Sequence, residues 1–194
     1  MSEVKALCVY CGASHRCAEH YLELAYELGA ECARRGITVI FGGGRVGMMG
    51  RLADGALAHG GRVHGIIPAH LQEVEIGHTA VQTLDVVDNM HSRKMRMFEL
   101  ADAFCVLPGG FGTLDETFEI ITWRQLKLHD MPIILLNHAG YWDLLLELVS
   151  HQMAEKFVRP EHRELFSVAE SNEELFIQLA AAPEPQFAPH PAQI

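Results

Sequence analysis

Residues 107–116 read LPGGFGTLDE, and two opposed kinds of chemistry meet in them. Pro108, Gly109, Gly110 and Gly112 are what a loop uses when its backbone N–H groups converge on an anion. Thr113 adds a hydroxyl at the start of a predicted helix, where free N–H groups and the positive end of the dipole favour a monophosphate. Yet Asp115 and Glu116 follow at once, and carboxylates repel phosphate. Glu116 also has a purely structural use open to it. Thr113-x-x-Glu116 is the spacing of a capping box, in which the glutamate returns to the N–H of the cap residue. Asp115 likewise can serve by complementing the dipole.

A second glycine cluster, GGGRVGMMG (42–50), contains Gly42-x-Gly44-x-x-Gly47. A dinucleotide fold wants an acid about 20 residues on to hold the ribose, and that register lands on Ile66-Ile67-Pro68. No Gly-Lys-Ser/Thr ending marks a P-loop. Gly42, Gly43 and Gly44 are thus either phosphate-loop candidates or glycines that let a strand and helix pack closely. The basic counterpart lies in MHSRKMRMFELAD, where Arg93, Lys94 and Arg96 crowd the first turns of a predicted helix. Cations oppose the dipole there, so they form either a solvated face or part of an anion site. Met90, Met97, Phe98 and Ala101 give that helix an apolar stripe of core character.

The elements that must position these residues follow from apolar patterning. Strands are expected at 6–10, 37–41, 62–67, 81–87, 103–107, 132–136 and 165–169, and helices at 18–35, 47–59, 89–101, 113–127, 141–155 and 172–181. Strands this apolar, separated by helices, predict an α/β, Rossmann-like fold: a doubly wound parallel sheet of six to seven strands flanked by helices. The polar and glycine-rich segments 11–14, 42–50, 88–94, 108–113 and Asn137 all follow strands. Ligands of such sheets bind at the carboxyl ends of the strands, so one crevice is expected to collect these segments. Residues 1–182 are expected to form a single catalytic domain, and the tail 183–194, with four prolines in twelve residues, a flexible end.

Composition sets outer bounds. The chain has 194 residues and a formal net charge of −10 with no long basic run, which excludes broad electrostatic binding to nucleic acid. No apolar run approaches the ~20 residues of a membrane-spanning helix. The N-terminus MSEVKALCVYCGAS carries an acid and is unlike a signal peptide, so a cytoplasmic location is expected. The five cysteines are an odd number in a chain without an export signal, which predicts reduced thiols. Cys8-x-x-Cys11 lacks a second pair at metal-ligand spacing, and the twelve histidines form no spaced cluster, so no metal is expected. No cofactor is expected either: the lysines are Lys5, Lys94, Lys127 and Lys156, none in a setting that favours a Schiff base.

GGGRVGMMG, MHSRKMRMF and PGGFGTLDETFEIITWRQL, in that order and spacing, together resemble the Lonely Guy (LOG) family, cytokinin riboside 5′-monophosphate phosphoribohydrolases often mislabelled lysine decarboxylases. The resemblance runs from the first strand to about residue 180. It implies hydrolysis of the N-glycosidic bond of a nucleoside 5′-monophosphate, AMP or an N6-modified relative, to free base and ribose 5-phosphate. It also implies that Arg93 and Glu116 are catalytic. Lys94, the loop Gly110, Phe111, Gly112, Thr113, Leu114 and Asp115, and by position Glu75 and Thr122, would bind substrate. A homodimer, with helix residues of one subunit closing its neighbour's site, is implied too. Arg45 and His78 depart from the family's pattern. A fold of the same type also occurs in carrier proteins for the molybdenum cofactor, which leaves a non-catalytic carrier as the alternative.

The opposed charges now have one explanation. Cleaving a ribosyl C1′–N bond develops positive charge on the sugar. A carboxylate at C1′ meets that charge, while the glycine cradle holds the phosphate at the other end of the same ribose. In this reading Arg93 keeps Glu116 ionised, steers the ribose or phosphate, or assists the departing base.

Overall fold

The structure is a computed structural model that describes residues 4–72, 77–78, 80–183 and 185–186. Seven strands, β1 (Ala6–Tyr10), β2 (Thr38–Phe41), β3 (Val63–Pro68), β4 (Thr83–Val87), β5 (Ala103–Val106), β6 (Ile133–Leu136) and β7 (Ser167–Ala169), form one sheet in the order β4-β3-β2-β1-β5-β6-β7. Every pairing is parallel. Helices α1 (Glu19–Arg34), α2 (Gly47–Ala58), α3 (Ala69–Gln72), α4 (Met90–Leu100), α5 (Phe111–Gln125) and α6 (Asp143–Ala154) connect the strands, and α7 (Asn172–Ala181) follows the last of them.

Alternation along the strands explains why both faces are covered. In β1, Leu7 and Val9 enter a core shared with α1, α2 and α7, whereas Cys8 and Tyr10 enter one shared with α4, α5 and α6. Ala103 and Cys105 of β5 turn to the first core, and Phe104 and Val106 to the second. A strand buried on both faces has no polar side, which is why these runs read as continuously apolar.

Every expected strand and helix is present, with ends within two residues of those read from the sequence. The short α3 and the 3₁₀ turns at His138–Gly140 and Pro160–Leu165 carry no periodic signal. Glu75 lies outside the described residues, as does most of the expected tail. The chain builds β2, β3 and β4 outward from one side of β1, then returns to place β5 on the other. The strand ends therefore diverge between β1 and β5, and the loops after them bound a crevice.

Helices α1 and α2 pack closely on the first face through paired glycines. A Cβ on Gly29 would strike the Leu52 carbonyl, and one on Gly55 the Tyr26 carbonyl. Backbone is the obstacle in both cases, so relief requires the helices to separate. Gly55→Ala is expected to lower stability by about 1–3 kcal/mol, the scale of overpacking, read as a fall in denaturant midpoint at constant slope.

Candidate active site

The crevice is a cavity of about 400 Å³ at the carboxyl ends of β1, β2 and β5. Gly12, Ala13 and Ser14 after β1, Gly42 after β2, and Pro108, Gly109 and Gly110 after β5 form much of its wall. Helix α4 contributes Met90, Arg93 and Met97, and α5 contributes Gly112, Thr113, Asp115 and Glu116.

Arg93 is buried, at 6% exposure, which removes the solvated-face explanation for it. Its Nε donates to the Ile66 carbonyl (3.2 Å) and its Nη2 to the Gly42 carbonyl (2.9 Å). A buried cation must find acceptors, and here strand-end carbonyls supply them. Gly42 leaves room at that point, because a Cβ would overlap the guanidinium where these bonds hold it. The first glycine of the triplet thus makes room for an arginine 51 positions on. Lys94 instead bridges to α5, through Asp115 (3.2 Å) and Glu119 (3.0 Å), and Arg96 pairs with Asp85 on β4 (2.9 Å).

The capping box is not formed. The N-cap of α5 is Gly110 and the helix starts at Phe111, so Thr113 is already in its first turn and Glu116 one turn further in. The cause is the glycine pair, which lets the chain turn into the helix before Thr113. Thr113 is buried, and its side chain packs where Gly109 lacks one. No side chain caps this helix, which leaves its first N–H groups for another acceptor. Glu116 projects into the crevice at 9% exposure, and burial pushes its carboxyl up to about 7. Arg93 and, more weakly, Lys94 pull the other way, while Asp115 and Glu119 add to the rise. The expectation that Arg93 holds Glu116 ionised is met only in direction, because dehydration outweighs the guanidinium.

The cavity thus brings together Gly42, Arg93, Gly109, Gly110, Gly112, Thr113, Asp115 and Glu116. Gly43, Gly44, Lys94, Phe111, Leu114 and Thr122 lie outside its lining. Gly43 has left-handed backbone at φ 76°, and a Cβ there would press on Ile66, Ile67 and Leu84. Thr122 is exposed, its hydroxyl donating to the Phe118 carbonyl (2.7 Å). Arg45 is exposed, whereas His78 is buried and ties Asp54 of α2 to the glycine loop through its ring and its N–H to Gly43. Sequence reasoning missed Cys17, Tyr21, Met48, Met49 and Tyr141 as wall residues. Met48 and Met49 follow the glycine cluster directly, but Tyr21 and Tyr141 reach the cavity only through tertiary packing. All five cysteines are free, and Cys8 and Cys11 sit in opposite cores. Burial pushes the Cys11 thiol well above its usual range, so it is an apolar part of the wall. Among the described residues, no three His, Cys, Asp or Glu side chains are placed to hold a metal.

Several known proteins are similar to this chain in sequence. The family profile described as "Possible lysine decarboxylase" matches residues 49–179. Cytokinin riboside 5′-monophosphate phosphoribohydrolase LOG7 of Arabidopsis thaliana is 43% identical over 187 residues, 96% of this chain and 85% of that one. LOG1 of the same plant, with the same activity in its name, is 40% identical over 92% of this chain and 84% of its own length. The chain belongs to the LOG family. A LOG relative in Oryza sativa subsp. japonica, the probable phosphoribohydrolase LOGL2, is 42% identical over 92% of this chain and 73% of its own. Solved structures similar in fold include the molybdenum cofactor binding protein of Rippkaea orientalis, with a TM-score of 0.70 at 22% identity over 93% of this chain and 98% of that one. The molybdenum cofactor carrier protein of Chlamydomonas reinhardtii gives 0.69 at 23%, over 93% and 100%. Those likenesses establish the fold alone.

A carboxyl held above its ordinary value favours the protonated fold. Its contribution to stability is complete below the unfolded value of 4.5 and is lost as pH rises through about 7. Glu116→Gln removes that loss. The variant is expected to match the parent near pH 4.5 and to exceed it above pH 7 by up to about 3 kcal/mol, measured by denaturant melts across pH. A cap residue behaves oppositely, its loss costing about 0.5–2 kcal/mol.

Proposed function

We propose that this chain hydrolyses the N-glycosidic bond of purine nucleoside 5′-monophosphates, AMP or an N6-modified form, releasing free base and ribose 5-phosphate. The observation that carries the reading is one crevice holding both an uncapped glycine-rich helix start and a buried carboxyl poised near neutrality. LOG relatives 40–43% identical, named as established or probable cytokinin riboside 5′-monophosphate phosphoribohydrolases, support it.

In this mechanism the phosphate lies on the N–H groups of Gly110, Phe111 and Gly112, where the dipole favours it. Glu116, as carboxylate, faces C1′. When the C1′–N bond breaks, its electron pair leaves with the base, and Glu116 stabilises the charge left on the sugar. Glu116 then takes a proton from the attacking water, and that proton passes on to the departing base, which restores the carboxylate. Arg93, fixed by two carbonyls, supplies the positive charge that favours the ionised form of Glu116 and orients the ribose.

Lysine decarboxylation, named in the family's description, fits less well. That chemistry needs pyridoxal phosphate on a lysine, and no lysine lines the cavity. Lys94 is taken by two carboxylates, and Lys127 and Lys156 lie just past the ends of α5 and α6.

A homodimer and a cytoplasmic location belong to the same proposal. Helix α5 exposes Phe111 (92%) and Phe118 on the side that carries Thr122, and α6 exposes Leu144 and Leu148. Apolar surface of this kind is what a second subunit covers, and Thr122 would then act toward a neighbour's site. No helix among the described residues is long and apolar enough to cross a membrane. Sedimentation at micromolar concentration is expected to give twice the 21.6 kDa of one chain; a single-chain mass would remove the dimer from the proposal.

Base release from AMP and from isopentenyladenosine monophosphate, quantified by chromatography, tests the activity. Glu116→Gln is expected to cut turnover at least ~100-fold while substrate still binds, and Arg93→Ala to abolish it. Because the carboxylate is the working form, kcat/KM should rise with pH through about 7 and flatten above it. Near-parental rates in Glu116→Gln would sink the mechanism.

A further inference from the structure

Asn137, at the end of β6, stands among the segments expected in the crevice, but its side chain works elsewhere. Its Oδ1 accepts from the Trp142 N–H (2.6 Å), its Nδ2 donates to Asp143 Oδ1 (2.8 Å), and its N–H donates to the Ala169 carbonyl of β7 (2.7 Å). These bonds close a turn in which Ala139 and Gly140 both take left-handed backbone, at φ 53° and 71°. Alanine enters that region only when its surroundings compel it.

What the turn delivers to the cavity is Tyr141. Its ring lines the wall, edge-on to Tyr21 (centroids 5.5 Å) and to Trp142 (4.8 Å), and its hydroxyl donates to the Gly109 carbonyl (2.7 Å). That carbonyl belongs to the same peptide unit as the Gly110 N–H. A trans peptide is planar and its C=O and N–H point in opposite directions, so a bond that fixes one fixes the other. The need is specific to this place, because a peptide between two glycines rotates more freely than any other. The preceding unit is held in the same way, its Pro108 carbonyl accepting from the Gly12 N–H (3.0 Å).

We propose that Tyr141 is a positioning residue that locks the Gly109–Gly110 peptide in one orientation, so that the helix start is preformed for a phosphate monoester. The inference rests on the hydrolase reading above and assigns to the β6–α6 turn a task at the far side of the site. It separates phosphate capture, which depends on Tyr141, from bond cleavage, which does not.

Tyr141→Phe in the full chain removes the hydroxyl and keeps the ring, so the wall stays packed. Binding of ribose 5-phosphate, followed by calorimetry, is expected to weaken about tenfold, the scale of one well-placed hydrogen bond. KM for AMP should rise by a similar factor with kcat within about twofold, and the Gly110 amide resonance should broaden as the peptide samples a second orientation. Equal ribose 5-phosphate affinity in parent and variant overturns the latch alone. A fall in kcat at unchanged KM also overturns it, because the hydroxyl would then act on the reaction itself. If the parent neither binds ribose 5-phosphate nor releases base from AMP, the hydrolase reading fails and the latch with it.

Discussion

A guanidinium cannot be dried without acceptors, and the way Arg93 is supplied with them organises this crevice. The carbonyls of Gly42 and Ile66, just after β2 and within β3, hold it. Parallel strands present their carbonyls without a covering helix only near their carboxyl ends, and only where the next turn stays clear. Gly42 keeps it clear by having no side chain. The sheet, the first glycine of the triplet and the register of α4 are therefore one arrangement. Arg93 then becomes the fixed charge against which Glu116 is set.

Glu116 shows which physical effect prevails. Arg93 and Lys94 both favour its ionised form, yet burial pushes the group up to about 7. A carboxyl in water next to two cations would sit well below 4.5 and be a weak base. One dried completely, without cations, would stay protonated. The balance leaves a group that changes charge near neutral pH, which suits general base catalysis. The same balance destabilises the fold above pH 7, so stability is given up where the chemistry is done.

The sheet and its helices were legible because period and apolarity act locally, and each strand advertises two buried faces. The pairing of Arg93 with Glu116 was legible only through the resemblance of three motifs, since 23 residues and a change of element separate them. The capping-box spacing pointed the wrong way: Thr113-x-x-Glu116 fits that motif, and only the turn at Gly109–Gly110, which starts the helix earlier, overrules it. Gly42's purpose could not be read at all, because the atom it must accommodate is carried by a distant helix. Tyr141 was equally hidden. Its place depends on a left-handed turn at Ala139, a residue type that gives no hint of such backbone.

The glycines themselves divide on this basis. Gly29, Gly42, Gly55 and Gly109 each stand where a Cβ would strike another part of the protein, so the fold accounts for them. Gly110, the N-cap of α5, and Gly112 meet no such obstacle: open space surrounds the position of a Cβ at both, and neither has left-handed backbone. Glycine inside a helix, as at Gly112, weakens it by roughly 0.5–1 kcal/mol relative to alanine, whereas at the cap position of Gly110 it is well tolerated. What glycine gives there is access, because a bare backbone lets an anion approach the N–H groups to hydrogen-bond distance. The chain thus carries, in Gly112 and in the bare cap at Gly110, the outline of a ligand that touches backbone.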